Sequence, residues 1–173
     1  MDAMDFRLDE PDPDGLSHRF RRGQVAIDVL APDNIGERAS RMTVPPAHTV
    51  MVKGGTRALQ TSETLTVSVG GERGQVRRPD LLGAVVVKAA ALEIDDVPRA
   101  QEGDLMFLLS LIEYPEALRP TAGDRQLLRR RRDLLDRPVD GLPAERAFAA
   151  RRALAVLTRD TGSAEEPDRK APG

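Results

Sequence analysis

ETLTVSVGGERGQVRRPDLLGAVVVKAAALEI, residues 63–94, changes its period half-way along. Before Pro79, β-branched residues alternate with polar ones, and Gly70-Gly71-Glu72-Arg73-Gly74 supplies a turn. That pattern predicts a hairpin. After Pro79, which suits a first helical turn, DLLGAVVVKAAALEI (80–94) is apolar nearly all round. A helix with so little polar surface belongs at the centre of the molecule.

Working outward, HTVMVKGG (48–55) reads as another short strand, and SHRFRRGQVAIDVLAPD (17–33) as a hairpin. With Arg22-Gly23 as its turn, Phe20 faces Val25, Arg19 faces Ala26 and His18 faces Ile27. Phe20, Val25, Ile27 and Val29 then share one face, and Arg19, Ala26, Asp28 and Leu30 the other. The run VAIDVL predicts a strand buried on both faces. Residues 31–47 read as a long loop with a short helical turn. Downstream, further helices are expected over 99–113, 121–136 and 141–157, the third with Leu127, Leu128, Leu134 and Leu135 on one side. The organisation is an N-terminal remnant and loop (1–16), a small mixed or antiparallel sheet (17–78), a helical bundle (79–158) and a tail (159–173) with too little apolar content to pack. A sheet followed by helices is the α+β class.

With 40% hydrophobic and 31% charged residues, the 173-residue chain can bury a real core. Aromatics make up 3% and net charge is −2, which argues against stacking platforms and against a global basic field for nucleic acid. The absence of cysteine removes disulfides and thiolate chemistry and suits a cytoplasmic setting. No apolar run has the length of a membrane span.

Asp28 is the residue out of place, a carboxylate within an apolar strand. Arg19, diagonally across the hairpin, offers it a structural partner. Alternatively, Asp28 is one leg of a Mg²⁺ site, with Ala26 leaving room for substrate. VKGGTRALQ (52–60) has the Gly-Gly-Thr of a phosphate-holding turn, but its downstream half, TSETLTVSVGG, lacks paired acids, so a plain strand and turn is the better reading. Lys88, alone in its apolar helix, either snorkels, bridges to Asp104 on the next helix, or offers its charge to a phosphate. Arg129–Arg132 read as a solvated helix face offset by Asp124, Asp133 and Asp136, with RNA contact as the alternative. His18 and His48 are too isolated to suggest a metal, and no serine has a histidine partner at a recognisable spacing.

The order of segments, HRF–turn–VAIDVLAPD, VKGGTRAL, a Gly-rich hairpin, RPDLLGAVVVKAAAL and GDLMFLLSLIE, resembles the nucleotidyltransferase superfamily over residues 16–137, and its branch of AbiEii-type toxins of type IV toxin–antitoxin systems. The resemblance implies a mixed sheet whose three acids hold Mg²⁺ and position a nucleoside triphosphate for attack by an acceptor hydroxyl. Asp28 would be the third acid, catalytic and metal-binding. Lys88, Arg99 and Asp104 would contact substrate. An RNA or protein acceptor and an antitoxin partner are implied with them. The Gly turn and paired acids that precede the HRF hairpin in that pattern are missing here, and MDAMDF looks like the end of the helix that follows them. An N-terminally truncated, transfer-inactive domain is therefore expected, with a non-catalytic interaction module or an unrelated α+β binding protein as the alternatives.

Overall fold

In a computed structural model, residues 4–11, 13, 15–35, 48–93, 98–138 and 141–159 are described. The order of elements is β1 (Arg7–Leu8), β2 (Arg19–Arg22), β3 (Val25–Asp28), β4 (Ala31–Pro32), β5 (Met51–Val52), α1 (Gly55–Gln60), β6 (Ser62–Val69), β7 (Glu72–Pro79), α2 (Leu81–Ala91), α3 (Pro98–Ser110), α4 (Ala122–Arg129) and α5 (Ala144–Leu157). The fold is α+β, with the strands first and the larger helices after them. The helical turn expected within 31–47 and the tail from residue 160 lie outside the described residues.

Strand pairing is divided among three small sheets: antiparallel β1-β2-β3, parallel β4-β5 and antiparallel β6-β7. Arg7–Leu8, which the sequence reading left in a loop, pairs with Arg21 and Phe20. A two-residue strand carries no periodicity to detect. In the β2-β3 hairpin Arg22 pairs with Val25, Phe20 with Ile27 and Arg19 with Asp28. The turn is therefore Gly23-Gln24, one residue later than expected, because glycine takes the positive φ (+57°) at the first turn position. Moving the turn by one residue shifts the pairing by two, so each side chain keeps its expected face. The β6-β7 hairpin turns on Gly70-Gly71, at φ +58° and +87°, the two positive values that a type I′ turn requires.

The core lies in the helices. Leu82, Val85, Val86 and Ala89 of α2 pack with Leu105, Met106 and Leu109 of α3, and with Ala150, Ala153 and Leu154 of α5. Thus α2 is central, as its composition required. Its N-cap is Asp80, whose Oδ1 accepts from the Gly83 amide at 2.7 Å, so Pro79 ends β7 and does not begin the helix. The expected helix over 121–136 is interrupted. After Arg129 the chain resumes as a 3₁₀ turn over Arg132–Leu135, yet Leu128 and Leu134 both reach the core and Leu127 and Leu135 pack against it.

On the sheet side β3 is exposed along its whole length, against the expectation of a strand buried on both faces. Val25 is 52% exposed, and Val29 and Leu30 beside β3 are also open. Among the described residues β2 alone pairs with β3, which forms the edge of its sheet. An apolar sequence run reports what a strand can bury, and the neighbour that would bury it must be supplied by the rest of the fold.

Candidate functional site

Asp28 and Arg19 lie opposite each other in the hairpin register. Arg19 Nε donates to Asp28 Oδ1 at 2.7 Å and Nη2 to Oδ2 at 2.9 Å, a fork that occupies both carboxylate oxygens. The hydrogen bond from Arg19 leads in holding the Asp28 carboxyl below its ordinary value; burial opposes it, and the charge of Arg19 adds to the lowering. Asp28 is not a buried acid. Its side chain is 36% exposed, so the cost that made it look anomalous in the sequence is largely absent.

Lys88 donates to Asp104 Oδ2 at 2.7 Å and to Gln101 Oε1 at 2.9 Å, joining α2 to α3. Of the four sequence-predicted site residues, the structure brings these two together. Arg99 lies elsewhere, beside a hollow of about 300 Å³ shared with Glu102, Met106, Leu134 and Arg137. Asp28 borders a different concavity of about 540 Å³, floored by Leu30, Ala31, Val52, Ala58 and Val87. Arg77, which donates to the Ser62 hydroxyl, stands on its rim together with Arg78.

The Gly-Gly-Thr turn does open a helix, the six-residue α1, and it is already filled from within the chain. Asp33 Oδ2 accepts from the Gly54 amide at 2.9 Å and Oδ1 from the Thr56 amide at 2.8 Å, while the Thr56 hydroxyl donates to the Asp33 carbonyl. Burial works to raise the Asp33 carboxyl, but the two amides and the hydroxyl outweigh it and leave its pKa below the ordinary Asp value. A carboxylate thus takes the position a phosphate would need. Gly55 permits the close fit, since a Cβ there would stand 2.9 Å from the Pro32 Cα. Together Asp33 and Gly55 fasten β4 onto α1 and shape the apolar groove.

The arginine run is structural and not simply solvated. Arg129 Nε donates to the Thr158 carbonyl at the end of α5, and Arg131 Nε to the Ala89 carbonyl near the end of α2. Helix ends leave carbonyls without intrahelical partners, and guanidiniums suit them. Arg130 pairs with Glu93, which also takes Lys53, so the expected offset by Asp124 is replaced by a link between the β5–α1 turn and the bundle. The hydrogen bond from Lys53 leads in holding Glu93 below its usual value, and Arg130 adds to it. Asp124 instead completes the capping box of α4 with Thr121 and faces Arg57 at 3.4 Å. These partners are distant in sequence, so composition carried no signal for them.

The arrangement does not fit a magnesium centre. Among the described residues no three His, Asp or Glu side chains gather, and the one carboxylate assigned to the metal has both oxygens engaged by a cation. No helix among the described residues is long and apolar enough to cross a membrane. No family model matches the chain, and neither curated proteins nor solved structures give a match.

Proposed function

We propose that this chain is a nucleotidyltransferase-like domain that performs no transfer itself and works as an interaction module. Its groove beside β3 would receive an extended segment of a partner protein, of the kind an antitoxin supplies. The observation that carries the reading is the state of Asp28. With its carboxylate spent on Arg19, the chain has no free acid there to hold a metal–triphosphate, and phosphoryl transfer depends on that charge neutralisation. Among the described residues the same strand has no neighbour on its outer edge, beside exposed Val25, Ile27 and Leu30, and such an edge is the surface an added strand uses. Arg77 on the groove rim, without a carboxylate partner among the described residues, favours an acidic residue in the incoming segment. A cytoplasmic setting goes with this reading.

Two measurements test it. Incubation with labelled nucleoside triphosphates, Mg²⁺ and candidate RNA or protein acceptors is expected to give no label; metal-dependent labelling overturns the reading. Peptides selected on the full chain from a random display library are expected to alternate apolar and polar residues and to lose about tenfold in affinity for the Leu59→Lys variant, since loss of one buried apolar anchor costs that much. Leu59 is 58% exposed at the groove, so the change spares the fold. Selected peptides that bind the variant equally well refute the groove as the docking surface.

A further inference from the structure

On the far side of the bundle, a hollow of about 500 Å³ is bounded by the Pro115–Pro120 segment, α4 and the end of α5. Its floor is apolar: Pro115 and Leu157 are buried, and Leu118 and Val156 are half-buried. Its polar lining is Arg119, Arg125, Arg159 and Glu116. Three guanidiniums against one carboxylate leave two positive charges in a chain whose net charge is −2.

Two of the arginines are placed by the backbone. Arg119 Nη1 donates to the Glu116 carbonyl at 2.7 Å and the Leu118 carbonyl at 3.1 Å, and Arg125 Nη1 donates to the Pro120 carbonyl at 2.7 Å. None of the three has a carboxylate partner among the ion pairs of the described residues, whereas Arg19, Arg21, Arg57, Arg78, Arg130 and Arg137 all do. The carboxylate at the rim is itself committed to Arg152, at 2.7 Å. Its own backbone amide, that hydrogen bond and the charges of Arg152 and Arg159 hold Glu116 below the ordinary Glu value. A guanidinium anchored through one nitrogen keeps its other N–H groups available in a fixed plane, and several such forks suit a phosphoryl group better than a single carboxylate does.

We propose that this hollow is a binding site for a small organic phosphate, with the phosphoryl dianion on Arg119, Arg125 and Arg159 and an apolar body on the Pro115–Leu118–Val156–Leu157 floor. This inference stands apart from the interaction surface on the sheet side. It does not involve Asp28, Lys88, Arg99 or Asp104.

The test is a titration of the full, isotope-labelled chain with phenyl phosphate, inorganic phosphate, phenol, adenosine monophosphate and glycerol phosphate, followed by amide shifts. Phenyl phosphate is expected to bind several-fold more tightly than inorganic phosphate and to shift Leu118, Arg119, Arg125 and Arg159, with phenol producing no shift there. Adenosine monophosphate matching phenyl phosphate assigns the site to nucleotides; glycerol phosphate matching it removes the role of the apolar floor and overturns the proposal. The Arg119→Gln/Arg125→Gln double variant is expected to lose about tenfold or more in affinity, given the strength of charge-assisted hydrogen bonds. Because both arginines brace carbonyls, Arg159→Gln is the companion variant, as its side chain makes no ion pair among the described residues. It is expected to weaken binding about threefold or more. An Arg73→Gln control on β7 leaves affinity unchanged. Binding that is absent for phenyl phosphate, or equal in wild type and both site variants, overturns the assignment.

Discussion

Replacing Asp33 with asparagine tests whether the Gly-Gly-Thr turn is held from inside the chain. The carboxylate accepts two amide N–H bonds, at 2.9 and 2.8 Å, in a half-buried position. Asparagine retains one carbonyl acceptor and turns an NH₂ group toward the other amide, so one charge-assisted bond is replaced by a donor facing a donor. Hydrogen bonds to charged groups contribute about 1.5–3 kcal/mol each, and the variant should lose about that much. For a domain of this size that corresponds to a fall of roughly 3–10 °C in Tm. Urea or thermal unfolding followed by circular dichroism measures it. The pH dependence gives an independent check. The folded-state pKa of Asp33 is depressed below 3.8, so its contribution is present above that value and is lost as pH falls through the folded pKa. The gap between wild type and variant should therefore be widest near neutrality and close below about pH 4. A variant within about 0.5 kcal/mol of wild type at pH 7, the usual scatter of surface substitutions, would refute the clamp.

Gly55→Ala presses a methyl group to within 2.9 Å of the Pro32 Cα, and overpacking against backbone is expected to cost about 1–3 kcal/mol by denaturant titration. A neutral result would mean that β4 and α1 separate easily. Asp28→Asn should lower Tm by no more than about 3 °C, because exposed ion pairs contribute little even with bidentate geometry. Since its pKa is lowered in the fold, Asp28's contribution should vanish as pH falls below 3.8, and a large loss of stability at pH 7 would instead require a second partner for the carboxylate.

Much of the helical half was legible because its signals are local and repeated. DLLGAVVVKAAAL has no polar face, so it had to be central, and Val85 and Ala89 are fully buried. The faces of the β2-β3 hairpin were readable from alternation even though its turn was displaced, since parity survives a two-residue shift. The Lys88–Asp104 bridge was one of the stated alternatives and is the one found. What escaped were features decided by distant partners. Arg129 and Arg131 meet carbonyls at the ends of α5 and α2, Asp33 fills a turn some twenty residues away, and the VAIDVL run is exposed, with β2 its one strand neighbour among the described residues. Periodicity describes a segment's own surface, and these outcomes depend on which other segment arrives to cover it.

All fourteen residues of the principal buried cluster fall from Leu82 to Leu157, while the described residues before α2 contribute scattered cover such as Phe6, Phe20 and Ala58. Burial is thus uneven: the later helices form a keel, and Glu93 and Asp124 tie the strand half to it through Lys53 and Arg57. Where burial is this uneven, local opening at the sheet edge need not disturb the keel.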